Sequence, residues 1–349
     1  MSQMIPKNSD TVESLWQKPN KPLWNRALAD AFSVPEELLS FLEIDAKAHW
    51  QDCKARKLFP MRVPVSFAQR MEKGNIDDPL LQQVFPLRQE FDAKDGFTAD
   101  PLLEHNSAKP GLIHKYQSRV LLVIKGGCAV NCRYCFRRHF PYQENQVSKA
   151  GWLDALAYIA NDDNIQEVIF SGGDPLMAKD EFLLWLVQEL AEVPHVKTLR
   201  VHTRLPIVIP DRINDSLLQW LTSTHLKPVM VVHINHANEI NDELIVKLKR
   251  LRDSGVTLLN QSVLLKGVND SVDAQIALNE RVFEANTLPY YLHMLDKVAG
   301  AGHFDVSQER AVAIQAEVVK RLPGYLVPKL VREIGGQPSK TPIDLRLYP

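Results

Sequence analysis

The stretch Val120-Leu-Leu-Val-Ile-Lys-Gly126-Gly-Cys128-Ala-Val-Asn-Cys132-Arg-Tyr-Cys135 decides the fold. Its first half is a short apolar run, the pattern of a strand buried on both faces. The glycine pair ends it, and three thiols follow at C-x3-C-x2-C spacing, presented at the end of a sheet. A structural zinc site is closed by four protein ligands, and an ordinary four-iron cluster takes four cysteines. Three thiolates leave one coordination position for something else. Two other readings use the same residues: reduced structural thiols, or a zinc site completed by His139 or the distant Cys53. Cys53 is otherwise expected to be a packed or exposed thiol without a role.

Outward from this stretch, apolar runs alternate with amphipathic ones. Strands are expected at 119–124, 167–171, 198–202, 229–233, 257–261 and 290–294, with helical patterns at 152–159, 182–190, 217–221 and 244–251. The later strands recur about every thirty residues, the length of a βαβ unit. The fold class expected is therefore α/β: a parallel sheet with helices outside, in an open, partial TIM-type barrel of about six βα units. Ligands of such sheets bind at the carboxyl ends of the strands. Residues 1–110 read differently, as a mainly helical N-terminal region with helices near 35–42, 65–71 and 78–84, and residues 111–349 as the catalytic domain.

Composition narrows the class. With 45% hydrophobic and 24% charged residues the chain is an ordinary globular one, and a net charge of −1 gives no case for nucleic acid. Four cysteines, three of them clustered, are no disulfide framework. Residues 1–10 lack the apolar core of a signal peptide, and no run spans a bilayer, so a cytoplasmic protein without a membrane partner is expected.

Two further motifs carry chemistry. Ser171-Gly172-Gly173-Asp174-Pro closes the second strand, where glycines allow close backbone approach and a carboxylate can accept from an ammonium group. The C-terminal stretch Gly324-Tyr-Leu-Val-Pro-Lys-Leu-Val-Arg-Glu333-Ile-Gly-Gly-Gln-Pro-Ser-Lys340-Thr-Pro342 places a lysine after a glycine- and proline-rich loop.

Taken together, the cysteine trio, Gly-Gly-Asp and this tail resemble the lysine 2,3-aminomutase family of radical S-adenosylmethionine (SAM) enzymes, over roughly residues 111–342. The resemblance implies three cofactors: a 4Fe-4S cluster on Cys128, Cys132 and Cys135, SAM on its open iron, and pyridoxal 5′-phosphate (PLP) on Lys340. By position it implies Lys115, Tyr116 and Arg119 around PLP. It implies Ser171, Gly172, Gly173, Asp174, His233 and Gln261 around SAM. Arg137 would face the substrate carboxylate, and Asp296 and Glu333 the ε-ammonium of lysine. Glu333 stands where the family's catabolic members carry aspartate. The activity implied is an isomerisation, (S)-lysine to β-lysine by a radical 2,3-amino shift, fed by an electron donor that the sequence does not name.

The sequence ends soon after Lys340, and the lysine follows Gly-Gly-Gln-Pro-Ser rather than an all-glycine run. Both features resemble the branch of the family that makes (R)-β-lysine for attachment to elongation factor P by a separate lysyl ligase. A catabolic lysine enzyme, an aminomutase for another amino acid, and a non-catalytic zinc or iron–sulfur protein are the competing readings.

Overall fold

In a computed structural model, which describes residues 22–105 and 109–347, one nine-stranded sheet organises the chain. Its strands lie in sequence order: β1 (Leu112–Tyr116), β2 (Arg119–Lys125), β3 (Glu167–Gly172), β4 (Thr198–Thr203), β5 (Lys227–His233), β6 (Thr257–Val263), β7 (Leu288–His293), β8 (Lys329–Arg332) and β9 (Thr341–Pro342). Pairing from β2 through β8 is parallel throughout; β1 on β2 and β9 on β8 are antiparallel. Since β1 and β9 do not pair with each other, the barrel stays open.

Six helices make the crossovers: α1 (Lys149–Ala160), α2 (Asp180–Ala191), α3 (Asp215–Thr222), α4 (Asp242–Asp253), α5 (Val272–Glu284) and α6 (Gln308–Arg321). Five of them start at a Ser or Asn whose side chain accepts from a backbone N–H of the first turn: Ser148, Asn214, Asn241, Ser271 and Ser307. The exception, α2, carries Asp180 and Glu181 in its first turn, charges that suit a helix N-terminus. Strands β2 to β7, each followed by its helix, make the six expected βα units, and β8 adds a seventh parallel strand.

The three expected N-terminal helices form, each shorter than its pattern: Pro35–Phe41, Val65–Ala68 and Pro79–Gln82. Their apolar residues Leu38, Leu39, Phe67, Leu80 and Leu81 are fully buried in the same core as β2, β3 and β4. This region is fastened to the barrel by polar contacts as well. Gln83 accepts from the Arg133 backbone N–H at 2.8 Å and, through its side chain, from Arg204 Nη2 at 2.6 Å. No helix among the described residues is long and apolar enough to cross a membrane.

Candidate active site

The connection leaving each parallel strand starts at its carboxyl end, so the sheet gathers residues that are far apart in sequence. The cysteine loop follows β2, Ser171 and Gly172 end β3, and Thr203 ends β4. His233 ends β5, Gln261 lies near the end of β6, Asp296 follows β7, Glu333 follows β8 and Lys340 precedes β9. All sixteen candidate residues line one cavity of about 460 Å³, a volume suited to small-molecule ligands.

At one side of the cavity the cysteine loop and the glycine loop are zipped together. Gly173 N–H donates to the Lys125 carbonyl at 2.7 Å and Asp174 N–H to the Gly127 carbonyl at 3.0 Å. A Cβ on Gly173 would lie 2.7 Å from the carbonyl oxygens of both Gly126 and Gly127, and Gly172 has φ +126°. Both positions demand glycine for backbone packing. Asp174 is buried, and its carboxylate accepts from Thr203 Oγ1 and from the backbone N–H groups of Leu176, Arg204 and Leu205, at 2.8–3.0 Å. In this arrangement it ties the end of β3 to the end of β4. Burial raises its pKa, against those hydrogen bonds.

The three cysteines are free thiols. Burial pushes the thiol of Cys135 up to about 11 and that of Cys128 well above its ordinary value, so binding iron there releases protons. Arg204 Nη1 donates to Cys132 Sγ at 2.9 Å and to the Tyr134 hydroxyl at 2.6 Å, and Arg204 Nη2 pairs with Glu239 at 3.0 Å. Among the described residues no three His, Cys, Asp or Glu side chains converge as a single metal ion requires. Neither suggested fourth zinc ligand lines the cavity: Cys53 is packed in the core, and His139 is exposed, its Nε2 3.2 Å from the Ala299 carbonyl.

A second group of residues lies around Lys340. Its ammonium pairs with Glu333, whose carboxylate also accepts from the Tyr116 hydroxyl at 3.1 Å and from Lys115 Nζ at 3.3 Å. Burial would raise the Glu333 pKa, but Lys340 and then Lys115 hold it at about 2. Asp296 behaves oppositely: burial, and next the charge of Glu333, push it up to about 7. Arg119 lies 4.1 Å over the ring of Tyr116, and the hydroxyls of Tyr290 and Tyr291 meet at 3.1 Å.

Glu104, from the N-terminal region, had no signal in the sequence. Its carboxylate receives Arg137 Nε at 2.7 Å and Nη2 at 3.2 Å, and Lys115 Nζ at 2.7 Å. Arg137 Nη1 turns to Ser171 Oγ at 3.0 Å and to the Gly172 carbonyl at 3.2 Å. Arg204 and the histidines His202 and His293 were missed too. A Thr203-Arg204 pair just after a strand is the one hint the sequence held for any of them.

The donor set fits all three cofactors. Three half-buried thiols lining the cavity suit a cluster with one thiolate per iron. His202 and His293 hold buried Nε2 atoms without a hydrogen-bond partner among the described residues, polar atoms that a ligand would satisfy. His233, kept neutral by burial and by Arg204 with a pKa near 3, is 2.8 Å from the Gln261 amide. Lys340 is an amine in a cavity lined by Tyr290, Tyr291, Arg119 and Arg200, the aromatic and cationic surroundings that a phosphorylated pyridine needs.

Comparison with known proteins agrees. Residues 122–275 match the model of the radical SAM superfamily. The chain is 54% identical to the L-lysine 2,3-aminomutase of Escherichia coli over 94% of its own length and 96% of the relative's. The chain belongs to the lysine 2,3-aminomutase family of radical SAM enzymes. It is 52% identical to the Haemophilus influenzae L-lysine 2,3-aminomutase, over 91% of this chain and 94% of that one. Identity to the longer Clostridium subterminale enzyme is 33%, over 92% and 77%. With membership come the family's three cofactors, a 4Fe-4S cluster, SAM and PLP.

Proposed function

We propose that this protein is a lysine 2,3-aminomutase, an isomerase that moves the α-amino group of lysine to the β-carbon. One observation carries the choice of substrate: the Glu333 carboxylate in the cavity already binds a lysine ammonium, that of Lys340. When the amine of Lys340 is engaged by PLP, Glu333 loses its strongest cation, and the ε-ammonium of a substrate lysine replaces it charge for charge. Asp296, half-buried in the same cavity, has its pKa raised to about 7, so it is only partly ionised near neutral pH and ionises fully when an ammonium arrives. A buried ammonium needs such partners, and a glutamate side chain would be repelled.

The remaining roles are those implied by the family resemblance, and they are supported by the residues' sharing one cavity. Cys128, Cys132 and Cys135 hold the cluster; Ser171, Gly172, Gly173, Asp174, His233 and Gln261 form the SAM side of the cavity. Lys115, Tyr116 and Arg119 face PLP together with Lys340. Arg137, held by Glu104 through its Nε and Nη2, is the cation offered to the substrate carboxylate. When bound, SAM on the reduced cluster supplies a radical that activates the substrate β-carbon, and PLP supplies an electron sink for the shift. The protein's part is to hold substrate between those two groups and to keep water out. Burial of Arg137, Ser171, Asp174 and His293 serves that exclusion.

We assign the product to modification of elongation factor P, through a separate lysyl ligase, in the reducing cytoplasm. The Gly-Gly-Gln-Pro-Ser-Lys340 segment supports this branch. Anaerobically reconstituted protein with lysine, SAM and a reductant should yield β-lysine. No product from protein loaded with cluster and PLP would refute the activity. If purified product fails to serve elongation factor P and its ligase, the downstream role falls while the activity stands.

A further inference from the structure

The cluster needs an electron from outside, and the structure offers a place where it can enter. Residues 54–62 form a wall that meets the cysteine loop through Phe59, Pro60 and Arg62. Phe59 lines the cavity, while its neighbours Leu58 and Pro60 are exposed. Arg62 grips the loop twice: its guanidinium donates to the Cys128 carbonyl at 2.9 Å, and its carbonyl accepts from Asn131 N–H at 3.1 Å. Arg133, between two of the cysteines, donates to the Phe59 carbonyl at 2.8 Å. The wall is therefore in direct contact with the segment that carries the thiolates.

Its outer face is cationic. Lys54, Arg56, Lys57 and Arg62 are all exposed, and Arg88 is exposed nearby, its backbone N–H bound to Asp52. Asp52 is the single acid within residues 50–62. On a chain of net charge −1 this is a local concentration of positive charge. Apolar surface accompanies it. Trp50 is 53% exposed with Lys54 Nζ 3.6 Å from its ring centroid, and Leu58 is 43% exposed. An exposed tryptophan and leucine among Lys and Arg have the composition of a protein-docking patch. Its charge selects an acidic partner and speeds encounter with it.

We propose that the face formed by Trp50, Lys54, Arg56, Lys57, Leu58 and Arg62 docks an acidic protein that carries a single low-potential electron and delivers it through the Phe59 wall to the cluster. One electron leaves the carrier, which is oxidised by one, and reduces the cluster by one; no bond breaks. The inference rests on the proposed cluster at Cys128, Cys132 and Cys135.

The test uses the reconstituted holoprotein, a reduced acidic plant-type ferredoxin as probe, and dithionite as a small reductant that needs no docking. Stopped-flow absorbance reads cluster reduction, and titration with oxidised ferredoxin reads binding. In a K54E/R56E/K57E variant, ferredoxin-driven reduction should fall at least tenfold and binding should weaken at least tenfold. Reduction by dithionite should be unchanged. A K54Q/R56Q/K57Q variant should lie between, and added salt should slow the wild type more than the charge-reversed variant. Unchanged ferredoxin reduction and binding in K54E/R56E/K57E would overturn the proposal, as would equal losses with both reductants or a wild type that ferredoxin cannot reduce. If dithionite itself fails to reduce the wild type, the cluster reading is what fails, and the binding titration still decides the docking face.

Discussion

Arg137 and Glu104 meet fork to fork, Nε on one carboxylate oxygen and Nη2 on the other, with both side chains buried. The carboxylate comes from the N-terminal region, the guanidinium from the cysteine loop, and Lys115 on β1 closes the triangle at 2.7 Å. Against burial, which would raise it, Arg137 and then Lys115 lower the Glu104 pKa. Glu104 thus makes the N-terminal region part of the site: it holds in place Arg137, proposed to meet the substrate carboxylate, and Lys115, proposed to face PLP.

Removing that carboxylate leaves buried Arg137 and half-buried Lys115 with less countercharge, a change of about 3–5 kcal/mol in comparable buried pairs. Glu104→Ala should lower the melting temperature of the ligand-free protein by roughly 5–10 °C. PLP and lysine bring anionic groups of their own, so the loss should shrink in the loaded protein. Thermal melts with and without ligands check both statements. A loss that is the same in both states would mean that Glu104 only supports the fold.

The ion pair between Lys340 and Glu333 separates two functions that share a cavity. Lys340→Ala should abolish the yellow absorbance of bound PLP. Glu333→Gln should keep that absorbance but raise the KM for lysine roughly 100-fold, as expected for losing one partner of a buried charge pair. Glu333→Asp keeps the charge on a shorter arm and should raise KM less than tenfold. Absorbance spectra and initial rates measure these effects. Loss of PLP from Glu333→Gln would move Glu333 from the substrate to the cofactor.

Much of this architecture was legible because the parallel strands are short, largely apolar runs that stand out from polar connections. All six such strands were readable, β2 to β7. The rest was hidden for physical reasons. β8 is four residues long and β9 two, and both are paired only because the sheet brings them together. On α5 and α6 the helical period is masked by polar residues on the buried face. Gln275 there donates to the Asn269 carbonyl at 2.9 Å, and Gln315 to the Pro328 carbonyl at 2.7 Å. The cysteines, Lys340 and Arg137 could be named from motifs. Glu104 could not, because an isolated glutamate in an irregular segment gains meaning only from the cations it meets in three dimensions.

Asp296 gives the site a pH dependence with a definite sign. Its folded-state pKa of about 7 is raised above the roughly 3.9 of an unfolded aspartate. Between those values the folded protein keeps a proton that the unfolded chain releases, so stability falls as pH rises through this window, and the full loss is present above pH 7. Asn cannot ionise. Asp296→Asn should therefore melt several degrees above the wild type at pH 8 in the ligand-free state, and this gain should diminish toward pH 4–5. The same variant should bind lysine poorly, so stability and function oppose each other at this residue. A melting difference independent of pH would show that the carboxyl of Asp296 is not raised.

Glu90 anchors the cysteine loop from outside the cavity. Its fully buried carboxylate accepts from Arg133 Nε at 2.8 Å and Nη2 at 2.5 Å, from Arg138 Nη2 at 2.8 Å, and from the Leu87 backbone N–H at 3.1 Å. Arg133 and Arg138 flank Cys135, so the network sets where the third thiolate points. Glu90→Ala strands two guanidiniums and should cost about 3–5 kcal/mol. Because the strain falls on the loop, Cys128, Cys132 and Cys135 in the cluster-free protein should alkylate faster than in the wild type. Cys53, buried in the hydrophobic core, should keep its slow rate. Peptide mapping after timed alkylation separates the four thiols. Equal acceleration at Cys53 would mean that Glu90 secures the whole N-terminal region rather than the loop alone.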